Sequence, residues 1–192
     1  MQSATKTKPK ASAPVLETER LVLRPLSPDD LPAMHLIFND PEVGRHLFDG
    51  ELVPFKTTIS VLEASDRDFS ERDVGLFGVR LRGADYDLVG LCGLRWEEGI
   101  GEMEIMYCLL PQLWGRGLTT EAALATLRFA FEEAGLWCVM GGADEPNVAS
   151  LRVIEKLGMR PVGRILAKAP EVPYFVLHRD DFLRADASGG AR

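Results

Sequence analysis

The sequence predicts a mixed α/β (α+β) fold built on one mostly antiparallel, seven-stranded sheet flanked by about four helices. Three observations carry that prediction. Seven short runs are strand-like, and four longer runs repeat their apolar residues with helical spacing. The runs follow in the order strand, two helices, three strands, helix, strand, helix, two strands. Three consecutive strands joined by turns form an antiparallel meander, whereas the strand–helix–strand unit in the middle calls for a crossover, so the sheet is mixed.

Each element follows from local chemistry. Residues 1–14 are rich in Lys, Ser, Thr, Ala and Pro and are expected to be a disordered basic tail. Arg20 to Arg24 alternates apolar and charged residues, as a half-buried strand does. Ser27-Pro28-Asp29-Asp30 opens a helix with a Ser cap, a Pro in the first turn and acids at the positive end. That helix runs to about Phe38 and stops before Asn39-Asp40-Pro41. Lys56 to Glu71 has helical periodicity with a polar face. Gly75 to Arg82 and Leu88 to Trp96 are strands around a turn at Gly83 to Asp87, and Glu102 to Leu110 is the next strand. Thr119 to Ala134 is a helix ended by Gly135, Trp137 to Ala143 a strand, and Val148 to Leu157 a helix ended by Gly158. Val162 to Leu166 and Tyr174 to His178 close the sheet. Residues 15–184 therefore form a single domain, and 185–192 a frayed tail.

Composition narrows the function classes. A chain of 192 residues is long enough for one domain with a sizeable core, and 46% hydrophobic and 27% charged residues are ordinary for a soluble protein. No apolar run approaches the ~20 residues of a membrane span, and the N-terminal residues lack the apolar centre of a secretory signal. Cys92, Cys108 and Cys138 lie in apolar strand-like runs and read as reduced, buried thiols of a cytoplasmic protein. His35, His46 and His178 are scattered, so no metal site is expected. The net charge of -7, with Lys6, Lys8 and Lys10 confined to the tail, argues against a nucleic-acid binder. It also means that a polyphosphate ligand must be held by local groups.

One stretch supplies such groups. Gln112-Leu113-Trp114-Gly115-Arg116-Gly117-Leu118-Thr119-Thr120 joins a strand to a helix. A Gly-punctuated loop at a helix start presents free backbone N–H groups to a phosphate. Gly115 and Gly117 permit positive φ, Arg116 adds a positive charge, and Thr119 or Thr120 can cap the helix. The loop is not a P-loop, because no Lys-Ser or Lys-Thr follows the glycines. It is not a dinucleotide fingerprint either: Thr120 stands at the third glycine position, and no acid follows on a second strand.

Gln112-x-x-Gly115-x-Gly117, after a strand ending Tyr107-Cys108-Leu109, resembles the acyl-coenzyme A signature of the GNAT acetyltransferases. Glu145-Pro146-Asn147-Val148-Ala149-Ser150 resembles the next strand–helix unit of that family. Glu19-Arg20-Leu21-Val22-Leu23-Arg24-Pro25-Leu26, with Asp40-Pro41-Glu42-Val43 after it, resembles the branch containing ribosomal-protein N-terminal Ser/Ala acetyltransferases. The resemblance spans Leu16 to Leu183. It implies a V-shaped split between central strands that takes acetyl-CoA as co-substrate, with no metal. It also implies binding by Tyr107, Cys108, Leu109, Gln112, Trp114, Gly115, Arg116, Gly117, Leu118, Thr119, Thr120, Asn147, Ser150 and Arg152. The backbone of Tyr107, Cys108 and Leu109 would bond the pantetheine and polarise the thioester. Asn147 would bind a pantetheine amide or, alternatively, form an Asx turn after Pro146.

Two residues are candidates for the chemistry. Glu104 matches the glutamate base of histone-type relatives; the alternatives are a structural acid paired with an Arg across the sheet, or recognition of the substrate amine. Glu102 shares its face and is the fallback. The Tyr that many relatives place seven residues after the Asn is Ile154 here, so Ser150 is the candidate donor to the leaving thiolate, with helix capping as its alternative. Tyr107 and the three tryptophans read as packing, with Trp114 also placed to shield the coenzyme.

The expected acceptor is a protein N-terminus or a small amine, met by the helix pair between Leu31 and Arg72 and by the connection from Leu166 to Pro173. An α-amine with pKa near 7.7–8.0 is roughly a tenth neutral at pH 7, whereas deprotonating a lysine costs about 3 kcal/mol more. A modest base therefore suits an N-terminus. The competing readings are a non-catalytic acyl-CoA-binding module and an unrelated nucleotide-binding domain. Homodimerisation through the closing strands is left open.

Overall fold

A computed structural model describes residues 13–83, 88–165 and 172–187 of the chain. Most of the expected N-terminal tail, the centre of the turn between Gly83 and Leu88, the connection after Ile165 and the last five residues lie outside the described residues.

Among the described residues the sheet has eight strands: β1 Leu16–Glu17, β2 Leu21–Pro25, β3 Leu76–Leu81, β4 Gly90–Glu97, β5 Glu102–Leu109, β6 Cys138–Gly142, β7 Arg160–Ile165 and β8 Val172–His178. Their order is β1-β2-β3-β4-β5-β6-β8-β7. Every neighbouring pair is antiparallel except β5 and β6, which the intervening crossover makes parallel. The seven expected strands are all present, and the two-residue β1 extends the edge.

Among the described residues six α-helices flank the sheet: α1 Leu31–Phe38, α2 Pro41–Leu47, α3 Phe55–Arg72, α4 Leu118–Arg128, α5 Val148–Lys156 and α6 Arg179–Ala187. A π turn, Phe129–Glu133, finishes α4. The sequence predicts four helices; α2 and α6 are additional to them. Asn39-Asp40-Pro41 ends α1 but also starts α2: the Asp40 carboxylate accepts the N–H groups of Glu42 and Val43 at 3.0 and 3.3 Å, and Pro41 takes the first helical position. Helix α6 takes Ala185–Ala187 out of the expected tail. Phe182 anchors it in the core, and Asp180 and Asp181 sit at its positive end.

The sheet separates two apolar layers. Alternation along β5 sends Met103, Ile105 and Leu109 to the layer under α4, α5 and α6, where Ala122, Leu127, Phe131 and Phe182 are buried. Cys108 goes to the opposite layer with Met34, Phe38, Val43 and Leu62 of α1, α2 and α3. Between β5 and β6 the only paired residues are Glu104 and Met140. Beyond that point the two strands diverge and leave the C-terminal half of β5 with one unpaired edge. This is the expected V-shaped split.

Candidate active site

A cleft of about 1020 Å³ runs through the split. At one end its wall is the loop and helix start from Leu113 to Thr120. The end of β5, the start of α5, α2, α3 and the last residues of β4 complete its lining, and the His46 ring of α2 lies 6.5 Å from that of Trp114. Of the helical region between Leu31 and Arg72 expected to meet the acceptor, α2 and α3 line the cleft.

The loop end is shaped by backbone. Gly117 is the N-cap of α4 with φ +76°, and Gly115 has φ +73°. No side chain caps this helix. The expected capping by Thr119 or Thr120 does not occur, because both lie inside the first turn, past the cap, and line the cleft. The first N–H groups of α4 are therefore left for a ligand at the positive end of the helix. Gln112 and Arg116 are exposed and outside the cleft lining. The Arg116 carbonyl instead accepts Arg20 Nη1 at 3.0 Å.

On β5, strand register decides which backbone groups reach the cleft. Leu110 N–H donates to Val89 O at 2.9 Å, so Val89 and Leu110 form a hydrogen-bonded pair, and such pairs alternate along an antiparallel ladder. Cys108 bonds toward β4, whereas Tyr107 and Leu109 turn their N–H and C=O groups to the unpaired edge. Cys108 is thereby removed from the expected backbone donors and keeps only a side chain at the cleft wall. Trp114 Nε1 donates to Leu109 O at 2.6 Å, which leaves the Tyr107 groups and the Leu109 N–H open.

Glu104 lines the cleft and is buried. It stands opposite Arg95 in the ladder, and Arg95 Nε and Nη2 donate to the same oxygen, Oε2, at 3.1 and 2.7 Å. The cross-sheet pairing foreseen as the alternative to a base is present. Both bonds fall on one oxygen; Oε1 lies beside Gly142, so close that a Cβ there would meet it at 3.1 Å. Glu102 accepts a weak bond from Cys138 Sγ at 3.7 Å and does not line the cleft.

At the start of α5, Asn147 is the N-cap, and its Oδ1 accepts Ser150 N–H at 3.0 Å. Capping is thus the work of Asn147 and not of Ser150, and it leaves the Asn147 amide donors for another partner. The Ser150 hydroxyl lies 2.8 Å from the Tyr107 hydroxyl, which is also 3.3 Å from Ser150 O. Burial pushes the Tyr107 phenol up to about 12, with the Ser150 bond acting the other way, so it stays a proton-bearing donor. Sequence reading missed this pair because nothing local links a strand residue to a helix residue in the next crossover. Arg152 also lines the cleft.

The three thiols are free and buried, and burial pushes each to about 12, which excludes thiolate nucleophiles at neutral pH. The tryptophans correct an expectation: Trp96, Trp114 and Trp137 are all exposed, and the first two line the cleft. Arg72 stacks over Trp96 at 4.4 Å.

A family model described as an acetyltransferase (GNAT) domain matches residues 20–160. The crystal structure of an acetyltransferase from Agrobacterium tumefaciens str. C58 superposes with a TM-score of 0.77 at 26% identity, over 91% of this chain and 99% of that one. Spermidine N(1)-acetyltransferase of Escherichia coli (strain K12) is 25% identical over 144 residues, 75% of each protein. The fold is shared with RimL, a ribosomal L7/L12 alpha-N-protein acetyltransferase solved with coenzyme A, at a TM-score of 0.72 and 14% identity over 88% of this chain and 99% of that one.

Proposed function

The chain belongs to the GNAT acetyltransferases, and from that premise we propose that it moves the acetyl group of acetyl-CoA to a primary amine by direct attack in a ternary complex. The observation that carries the reading is one continuous cleft. It joins the uncapped start of α4, the open edge of β5, the Tyr107–Ser150 hydroxyl pair and Glu104. These groups fit the coenzyme: helix-start amides for the diphosphate, and a strand edge with amide donors for the pantetheine.

Acetyl-CoA supplies a thioester carbonyl as electrophile and a thiolate as leaving group. Glu104 Oε1 takes the amine proton as the C–N bond forms, while Arg95 holds the other oxygen and so fixes the carboxylate. The open N–H groups of Tyr107 and Leu109 are donors for the carbonyl oxygen. Ser150 Oγ gives its proton to the sulfur as the C–S bond breaks. The Tyr107 hydroxyl, 2.8 Å from Ser150 Oγ, holds that oxygen in place for the transfer.

Among amines, an N-terminal α-amine fits best, because its roughly tenth neutral fraction at pH 7 asks least of a carboxylate that shares its charge with Arg95. Small polyamines are the second class, given the relative named for spermidine acetylation. The test is free-thiol release from acetyl-CoA across peptides with Ser, Ala or Met N-termini, polyamines, aminoglycosides and amino acids. Turnover is expected on the peptides, with kcat lowered about 100-fold by Glu104→Gln and about tenfold by Ser150→Ala while coenzyme binding is kept. Full activity in Glu104→Gln would reduce Glu104 to an anchor for Arg95. Coenzyme binding without turnover on any amine would remove the acetyl-transfer reading for these acceptors.

A further inference from the structure

The first-strand motif around Arg20 is not used by the chemistry above, yet Arg20 is tied to the coenzyme loop more closely than to its own neighbours. Its backbone N–H donates to Glu121 Oε1 at 2.9 Å, its Nε donates to Glu121 Oε2 at 2.6 Å, and Nη2 lies 2.5 Å from the same oxygen. Its remaining arm, Nη1, donates to the Arg116 carbonyl at 3.0 Å. Thr18 Oγ1 completes the cluster with a 2.6 Å bond to Glu121 Oε1. The guanidinium lies beside the N-cap of α4, since a Cβ on Gly117 would meet Nη2 at 3.7 Å.

Glu121 is the acid in the first turn of α4, next to the uncapped N–H groups. A bare carboxylate there would oppose a diphosphate at the same helix end. Arg20 cancels that charge and, by holding the Arg116 carbonyl outward, fixes the peptide plane immediately before Gly117. Partial burial pushes the Glu121 carboxyl up, but the bonds from Thr18 and Arg20 outweigh it and hold the group below its usual range.

We propose that Arg20 is a positioning residue for the coenzyme diphosphate: it neutralises Glu121 and anchors the Arg116 carbonyl so that the start of α4 is both shaped for an anion and free of negative charge. This rests on the acetyl-CoA reading given above. It also makes an asymmetric prediction. A salt bridge that only braces the fold loses the same function whichever partner is removed. Here Arg20 helps an anion to bind, whereas the charge on Glu121 works against it.

The test is the Kd of coenzyme A, measured by titration calorimetry on the whole chain, for wild type, Arg20→Met, Glu121→Gln and the double variant. Met keeps the apolar stem without the charge, and Gln keeps one oxygen to accept from the Arg20 N–H and Thr18 Oγ1 while releasing the guanidinium. Arg20→Met is expected to weaken binding about tenfold, Glu121→Gln to leave it within twofold or tighten it, and the double variant to fall between, near threefold. Equal losses in the two single variants, or no loss in Arg20→Met, would overturn the proposal and leave the coenzyme reading intact. Failure of wild type to bind coenzyme A would overturn both. Raising the salt is expected to narrow the gap between wild type and Arg20→Met, because the missing term is electrostatic.

Discussion

Tyr107 and Ser150 are 43 residues apart in sequence, and their hydroxyls meet at 2.8 Å. The contact lets one hydroxyl orient the other. Tyr107→Phe keeps the ring and its packing and removes only that partner. A lost neutral hydrogen bond is worth about 1 kcal/mol, so kcat is expected to fall about fivefold while the KM for acetyl-CoA stays near that of wild type. Because the phenol is pushed up to about 12, the pH–rate profile between 6 and 10 has no limb from Tyr107, and the variant is expected to keep the wild-type profile shape. An unchanged kcat would show that Ser150 needs no orienting partner. At this scale the sequence names Ser150 but not Tyr107 beside it, and it offers Glu104 an Arg across the sheet without saying which. Arg95 and Glu104 pair because of strand register, and register is set by the whole meander.

At the scale of elements, the start of α4 carries the argument. Gly117 holds φ +76°, where a side chain costs about 1–2 kcal/mol. Gly135, past the other end of the same helical segment, has φ +75°. Gly117→Ala and Gly135→Ala are therefore expected to lower stability by similar amounts in thermal unfolding, but only Gly117→Ala is expected to weaken coenzyme A binding, by several-fold. Equal effects on binding would detach the coenzyme from this helix end.

The Gly-punctuated loop was legible in sequence because its conformation needs particular residues at particular places. Helices α2 and α6 were not. The first has seven residues, with a glycine inside and a proline that also reads as a stop. The second follows β8 directly, without a Gly or Pro to mark the change, and buries only Phe182. Gln112 and Arg116 rest on the family resemblance and, for Arg116, on its charge, and neither says which way a side chain points.

At the scale of the molecule, the site exists because one parallel pair interrupts an antiparallel sheet. All eight strands form a single sheet, yet β5 and β6 share only the Glu104–Met140 pair before they part. Seven of the eight described strands and their order along the chain follow from periodicity, but the split follows only from resemblance, since non-local pairing leaves no local signature. The same holds for the exposed tryptophans, whose apolar bulk reads as core until the cleft is seen to expose Trp96 and Trp114. The central claim is that the coenzyme occupies this split along the open edge of β5 with its diphosphate at the start of α4. The most direct measurement is amide hydrogen exchange with and without coenzyme A. Peptides covering 106–121 and 143–153 are expected to gain protection, strongest at Tyr107, Leu109 and the first turn of α4, with β2 and β3 unchanged. Saturating coenzyme A that leaves those segments exchanging as before, or that protects a different surface, would contradict the account.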